Sequence, residues 1–149
     1  MGKCPYCNES AGIFKKIHRE CELKNKEAKK IITEKSIRYF EDLDKLDFKE
    51  LKSLAQNSYL TEIEYNDLIS CSYSKILDNY LDDGILSKEE EDKLEKYIEK
   101  SELHQEVFDK NDSLSKTVRA SILRDLLNGE EIKNHLKITL YISHFVPFI

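Results

Sequence analysis

The sequence predicts a mainly α-helical fold, in which a compact helical bundle follows a small cysteine-bearing N-terminal segment and precedes a candidate C-terminal β-strand. Only four glycines and two prolines occur in 149 residues, which favours helices with few tight turns. Apolar residues recur at helical spacing, and several runs begin with helix-capping signals. This length suits one domain with a small appendage.

The first two helices are predicted at residues 12–42 and 47–56. Apolar residues mark the second half of the first helix, namely Ile31, Ile32, Ile37 and Phe40. Residues 22–30 are polar on nearly every side, so we expect a solvated spacer or a connection between the N-terminal segment and the bundle. Asp47 with Glu50 signals the start of the second helix.

The third and fourth helices each begin with an S/T-x-x-E capping box, formed by Thr61 with Glu64 and by Ser87 with Glu90. Gly84, in the Asp-Asp-Gly turn between them, suits a left-handed helix end. The predicted apolar residues are Ile69, Tyr73, Ile76, Leu77 and Tyr80 on the third helix and Leu94, Tyr97 and Ile98 on the fourth.

A short fifth helix holds Leu103, Val107 and Phe108, and a sixth covers residues 113–127 before an Asn-Gly stop. Short amphipathic helices of this kind bury their apolar stripes against one another. The sixth helix is predicted to do so through Val118, Ile122 and Leu126. The predicted shared core is Ile76, Tyr80, Leu94, Ile98, Val118 and Ile122.

The tail, residues 131–149, has a different pattern, because apolar and polar residues alternate from Leu136 to Ser143 as in a strand. The rest of the chain offers no partner strand. The tail could therefore pack into the helical core, pair across a dimer, or continue into a further domain. We favour intermolecular pairing with a protein partner or a second copy. The expected contacts are Leu140, Ile142, Phe145 and Phe148.

The first 21 residues place Cys4, Cys7, His18 and Cys21 in the pattern C-x2-C-x10-H-x2-C. Closed structural zinc sites take four such thiolate and imidazole ligands. Pro5 favours a turn that lets the first two thiols reach one metal, and the other two ligands share a face if they lie on a helix. We therefore predict one structural Zn²⁺. A redox CxxC is the alternative, disfavoured because no βαβ pattern surrounds it.

The charge is distributed unevenly along the chain. Residues 1–35 carry a net charge of +4, whereas the whole chain carries −5. Lys15, Lys16 and Arg19 are the candidate nucleic-acid contacts. The alternative is a solvated helix face beside an anionic metal cluster, which we favour because glutamates are interleaved and no aromatic stacking surface accompanies the basic residues.

Several functional classes lack support in the sequence. The N-terminus has no apolar signal-peptide region, and no run reaches the ~18–20 apolar residues of a membrane span. Cysteine usage suits a reducing cytoplasm, with Cys71 predicted to be a core residue. No nucleophile triad, P-loop or HExxH motif occurs, so we predict no catalytic residues and no enzyme activity. Leu81 would occupy a ligand position of an EF-hand-like loop, which disfavours calcium.

The segment YLDDGILSKEEE, residues 80–91, resembles the helix–DG–helix signature of TerB-like domains, which are helical modules of bacterial tellurite-resistance, stress and phage-conflict proteins. The cysteine pattern is similar to the CPxC…H-x2-C finger of bacterial proteins that continue through such a region into a pleckstrin-homology-like β domain. Residues 146–149 resemble the start of that domain.

This resemblance implies a zinc finger with the start of a long helix at residues 1–35, a TerB-like bundle at 36–130, and the apolar tail at 131–149. It also implies a cytoplasmic, non-enzymatic adaptor or inhibitor in bacterial stress response or phage–host conflict. A nucleic-acid-binding regulator that uses the basic finger is the alternative.

Overall fold

The computed structural model describes residues 2–12, 16–109 and 112–129, and this part of the chain is mainly α-helical, as predicted. Its only β pairing is an isolated antiparallel bridge between Lys3 and Ser10. The predicted strand and its proposed contacts, Leu140, Ile142, Phe145 and Phe148, lie outside the described residues. The helices are α1 Arg19–Arg38, α2 Phe48–Asn57, α3 Glu62–Tyr80, α4 Lys88–Ser101, α5 Gln105–Asp109 and α6 Ser113–Asn128.

The predicted helix starts are confirmed for α2, α3 and α4. The Asp47 carboxylate accepts from the backbone N–H groups of the first turn of α2. Thr61 and Glu64 cap α3 reciprocally, with the Glu64 N–H 3.2 Å from Thr61 Oγ1 and the Thr61 N–H 2.9 Å from the Glu64 carboxylate. Ser87 and Glu90 form the second capping box. Local side-chain chemistry therefore sets these boundaries.

The prediction for α1 was wrong at its N-terminal end, because the helix begins at Arg19 and not near Gly12. Gly12 has a φ of +91°, and His18 is an extended N-cap residue with φ −75° and ψ 129°. The His18 backbone N–H donates to Cys4 Sγ over 3.5 Å, so His18 contacts the cysteine cluster just before the helix begins. At the other end, α1 stops at Arg38 and a 3₁₀ turn, Phe40–Asp42, follows.

One compact unit comprises Met1–Ser72. In it α1 packs against α2, and the core includes Ile32, Phe40, Leu51 and Tyr65. The predicted polar spacer is not solvated throughout. Asn25 and Ala28 are buried, and the Asn25 side-chain amide donates to the carbonyl of Ser58 over 3.1 Å. The middle of α1 is therefore a packed part of this unit.

The second compact unit comprises Tyr73–Ile149. Its described part is organised around three aromatic rings, those of Tyr73, Tyr97 and Phe108, whose centroids lie 5.2–6.3 Å apart. The Tyr73 hydroxyl also lies 3.2 Å from Thr117 Oγ1, which satisfies a buried polar group. Leu77, Leu86 and Leu94 are fully buried in the same unit.

The register predicted for α6 was wrong. Val118 is buried, but Ile122 is half-buried and Leu126 is 57 % exposed. The inward face instead includes Arg124, which pairs with Glu91 at 2.9 Å and with Asp125 at 2.7 Å. Burying an unpaired charge would cost free energy, so these charged side chains lie together on the inner face of α6. The leucines therefore lie on its outer face.

Three further core predictions also need correction. Tyr80 and Ile98 are half-buried and not fully enclosed. Cys71, predicted to be a core residue, is exposed. Ile76 and Leu94 are buried as expected.

We expect Ile76→Ala to lower the free energy of unfolding by about 2–5 kcal/mol, because it empties a buried site. Ile122→Ala should cost clearly less, since Ile122 is only half-buried. Urea unfolding followed by far-ultraviolet circular dichroism measures both. Equal losses for the two variants would contradict the burial described for α3 and α6.

Candidate metal centre

The first two cysteines lie in a tight turn. The Cys4 N–H donates to the Glu9 carbonyl over 2.8 Å, and the Asn8 N–H donates to the Cys4 carbonyl over 2.9 Å. Asn8 has a φ of +61°, the left-handed conformation expected after such a turn. These bonds hold the Cys4 and Cys7 thiols on one side of a closed loop.

The other two members of the group come from the start of α1. His18 is its N-cap residue, and Cys21 lies in its first turn. His18 Nε2 lies 3.0 Å from the Ser10 carbonyl oxygen, which requires a proton on Nε2 and leaves Nδ1 as the lone-pair nitrogen. Nδ1 faces the thiols, 3.2 Å from Cys7 Sγ and 4.0 Å from Cys21 Sγ. The imidazole is therefore oriented as metal ligands usually are.

The four predicted ligand atoms lie within 4.8 Å of one another. A tetrahedral ion with bonds of about 2.3 Å spaces its ligands about 3.8 Å apart, so the group is near enough to bind one metal ion. Cys4 is buried, and the other members are partly buried. Within the part of the chain that the structure describes, no other group of three or more such side chains is assembled.

The cluster has electrostatic features suited to a cation. Burial would raise the pKa of Cys4, but backbone N–H groups, led by that of His18, point at its sulfur and lower the pKa to about 6. The pKa of Cys21 is raised, first by burial and then by the neighbouring Cys7. Crowded thiols of this kind are relieved by a bound metal ion, which neutralises their shared negative charge.

A cleft of about 530 Å³ lies beside the cluster. Its lining includes Cys7, His18, Cys21 and Tyr59. Sequence reasoning did not select Tyr59. The connection between α2 and α3 contains no glycine or proline, so no residue that favours the left-handed conformation marked this helix end.

The candidate nucleic-acid contacts are only partly described. Lys16 and Arg19 are exposed near the cluster, whereas Lys15 lies outside the described residues. Much of the remaining basic charge is paired with glutamates. These pairs are Lys26–Glu22, Lys29–Glu64, Lys30–Glu34 and Lys35–Glu50.

Comparisons with family models, with curated proteins and with solved structures give no match for this chain. None of the helices in the described ranges has the length and apolar character that a bilayer crossing requires.

Proposed function

We propose that Cys4, Cys7, His18 and Cys21 bind one Zn²⁺ that stabilises the N-terminal segment. The observation that carries this proposal is the convergence of three thiols and one correctly oriented imidazole within 4.8 Å. Three sulfurs and one nitrogen are the donors that zinc takes in closed structural sites. Four protein ligands leave no open position for substrate or water, so the metal's role is structural.

The whole chain, in this proposal, is a non-enzymatic protein-interaction module. The resemblance to TerB-like domains directs it to bacterial stress response or phage–host conflict, as an adaptor or an inhibitor. The outer face of α6 supports the interaction role, because Leu123, Leu126 and Leu127 are 46–64 % exposed. Leu123 lies one helical turn from both Leu126 and Leu127, so the three side chains make a contiguous apolar face, which is typical of a contact surface.

Deleting residues 136–149 tests the interaction role. We expect the shortened chain to keep its helical circular dichroism but to lose self-association, because the apolar tail is proposed to pair with a second copy. Sedimentation equilibrium measures the mass.

The double variant Leu126→Lys with Leu127→Lys, made in the full chain, tests the α6 face separately from the tail. We expect it to weaken association if this face is a contact surface. A full-length chain that is monomeric at all concentrations would refute self-association.

A nucleic-acid-binding regulator is the second candidate, favoured by the exposure of Lys16 and Arg19 beside the cluster. Affinity for DNA or RNA would then fall steeply with salt, because each neutralised phosphate releases counterions. Lys16→Ala with Arg19→Ala should reduce the slope of log affinity against log salt by roughly two. The double variant Lys26→Ala with Lys30→Ala is the matched control, since both of these lysines are paired with glutamates.

A further inference from the structure

Tyr59 adopts a backbone conformation that its side chain disfavours. It follows α2 at a φ of +64°. Its N–H donates to the Gln56 carbonyl over 3.2 Å, and the Leu60 N–H donates to the Ala55 carbonyl over 3.0 Å. This is the helix-ending motif in which glycine usually occupies the left-handed position. A tyrosine in this left-handed conformation carries backbone strain, and strained residues cluster at functional positions.

The Tyr59 side chain lies beside the metal centre. Its ring centroid lies 6.2 Å from that of Tyr6, which is located between Cys4 and Cys7. Tyr59 also lines the cleft that Cys7, His18 and Cys21 line.

Two further contacts hold the same turn in place. The Lys24 ammonium lies 5.6 Å from the centroid of the Tyr59 ring, in cation–π geometry. The preceding carbonyl, that of Ser58, accepts from the Asn25 side chain over 3.1 Å. The turn after α2 therefore contacts the cysteine turn through Tyr6 and α1 through Lys24 and the buried Asn25.

We infer that Tyr59 is a positioning residue for the metal centre, holding the Cys4–Cys7 turn against the end of α2 through its ring contact with Tyr6. The metal site is then built on the end of α2 and is not an independent finger. This inference rests on the proposed function, namely that the four ligands bind a metal ion. Residues that orient metal ligands typically change metal affinity by about 10–100-fold when removed.

Cobalt(II) titration of the full chain tests the inference, because Co²⁺ replaces Zn²⁺ in such sites and its sulfur-to-metal charge-transfer band reports on the thiolates. Tyr59→Ala removes the ring that contacts Tyr6. We expect the band to shift and Co²⁺ affinity, measured by chelator competition, to fall about 10-fold or more. Tyr59→Phe keeps the ring, so it is the matched control and should leave both unchanged.

Tyr59→Gly separates positioning from a simple turn role. Glycine relieves the left-handed strain, so a residue that only ended the helix would give a more heat-stable chain with unaltered metal binding. The inference instead requires Co²⁺ affinity to fall about 10–100-fold. Glu102→Gly is the matched control, because Glu102 has a φ of +56° at the end of α4. It should not change metal binding.

Each outcome decides the matter. A shifted band and weaker binding in Tyr59→Ala, with weaker binding in Tyr59→Gly and no change in Tyr59→Phe, support the positioning role. An unchanged spectrum and unchanged affinity in Tyr59→Ala and Tyr59→Gly overturn it while leaving the metal site intact. A wild-type chain that binds no Co²⁺ overturns the metal site, and the positioning role with it.

Discussion

Replacing Cys7 with serine is expected to abolish metal binding and to unfold the first 25 residues. Cys7 Sγ lies 3.2 Å from His18 Nδ1, at the centre of the ligand group. Serine is a poor zinc ligand, and apparent binding free energies at structural zinc sites are about 10–16 kcal/mol, which is also the free energy that keeps such segments folded. Elemental analysis measures the metal, and hydrogen exchange measures the loss of order.

Cys71→Ser is the matched control for this substitution, because Cys71 is an exposed cysteine outside the ligand group. It should keep its metal and its exchange pattern. In Cys7→Ser, fast exchange should be confined to the N-terminal segment, while α4 and α6 keep their protection. Full metal content in Cys7→Ser would contradict the assignment of this ligand.

The second large effect is expected for Arg124→Met, which removes the guanidinium that pairs with two buried carboxylates and leaves Glu91 only its pairing with Lys88. Glu91 and Asp125 are 3 % and 5 % exposed, and the guanidinium also donates to the Leu86 carbonyl over 3.2 Å. Breaking a buried ion pair from one side costs about 3–5 kcal/mol of the free energy of unfolding. Denaturant unfolding at pH 7 measures this loss.

Arg119→Met is the control on the same helix. Arg119 pairs with Asp112, but both side chains are largely exposed, so we expect a loss of about 0–1 kcal/mol. Comparable losses for the two arginines would show that the Arg124 cluster is not buried as described.

The Arg124 variant should also change how stability depends on pH. Burial alone would raise the pKa of Glu91, but Lys88 and Arg124, each 2.9 Å from its carboxylate, lower the pKa below its usual range near 4.5. A carboxyl with a lowered pKa stabilises the folded state above its unfolded pKa, and this contribution disappears as pH falls through the folded pKa. The difference in the free energy of unfolding between wild type and Arg124→Met should therefore narrow as the pH falls below about 5. A constant difference would contradict this role for Arg124.

Local sequence signals predicted much of the fold, because they act over three or four residues. Thr61 with Glu64, and Ser87 with Glu90, needed only their own side chains and backbones to begin helices. Gly129, with a φ of +69°, ends α6 for a similarly local reason. Cys4, Cys7, His18 and Cys21 were also predicted to share one centre, and they do lie near enough to one another to bind a metal ion.

The errors arose where distant residues decide the structure. Arg124 lies among leucines in the sequence, and charged residues are usually exposed, so its pairing with Glu91 left no local signal. Ser10 accepts from His18, and this long-range bond helps to hold the histidine ahead of α1 and not within it. Tyr59 was missed because turn chemistry predicts glycine or asparagine, not an aromatic residue, at a left-handed helix end.

Metal stoichiometry of the full-length protein, purified without chelators, tests the central claim most directly. Elemental analysis and native mass spectrometry should find one Zn²⁺ per chain, bound with the three cysteines of the group as thiolates. Acidification should release it, because the thiolates then take up protons. A zinc content below about half an equivalent, with no other metal in its place, would contradict the claim that Cys4, Cys7, His18 and Cys21 form a structural zinc site.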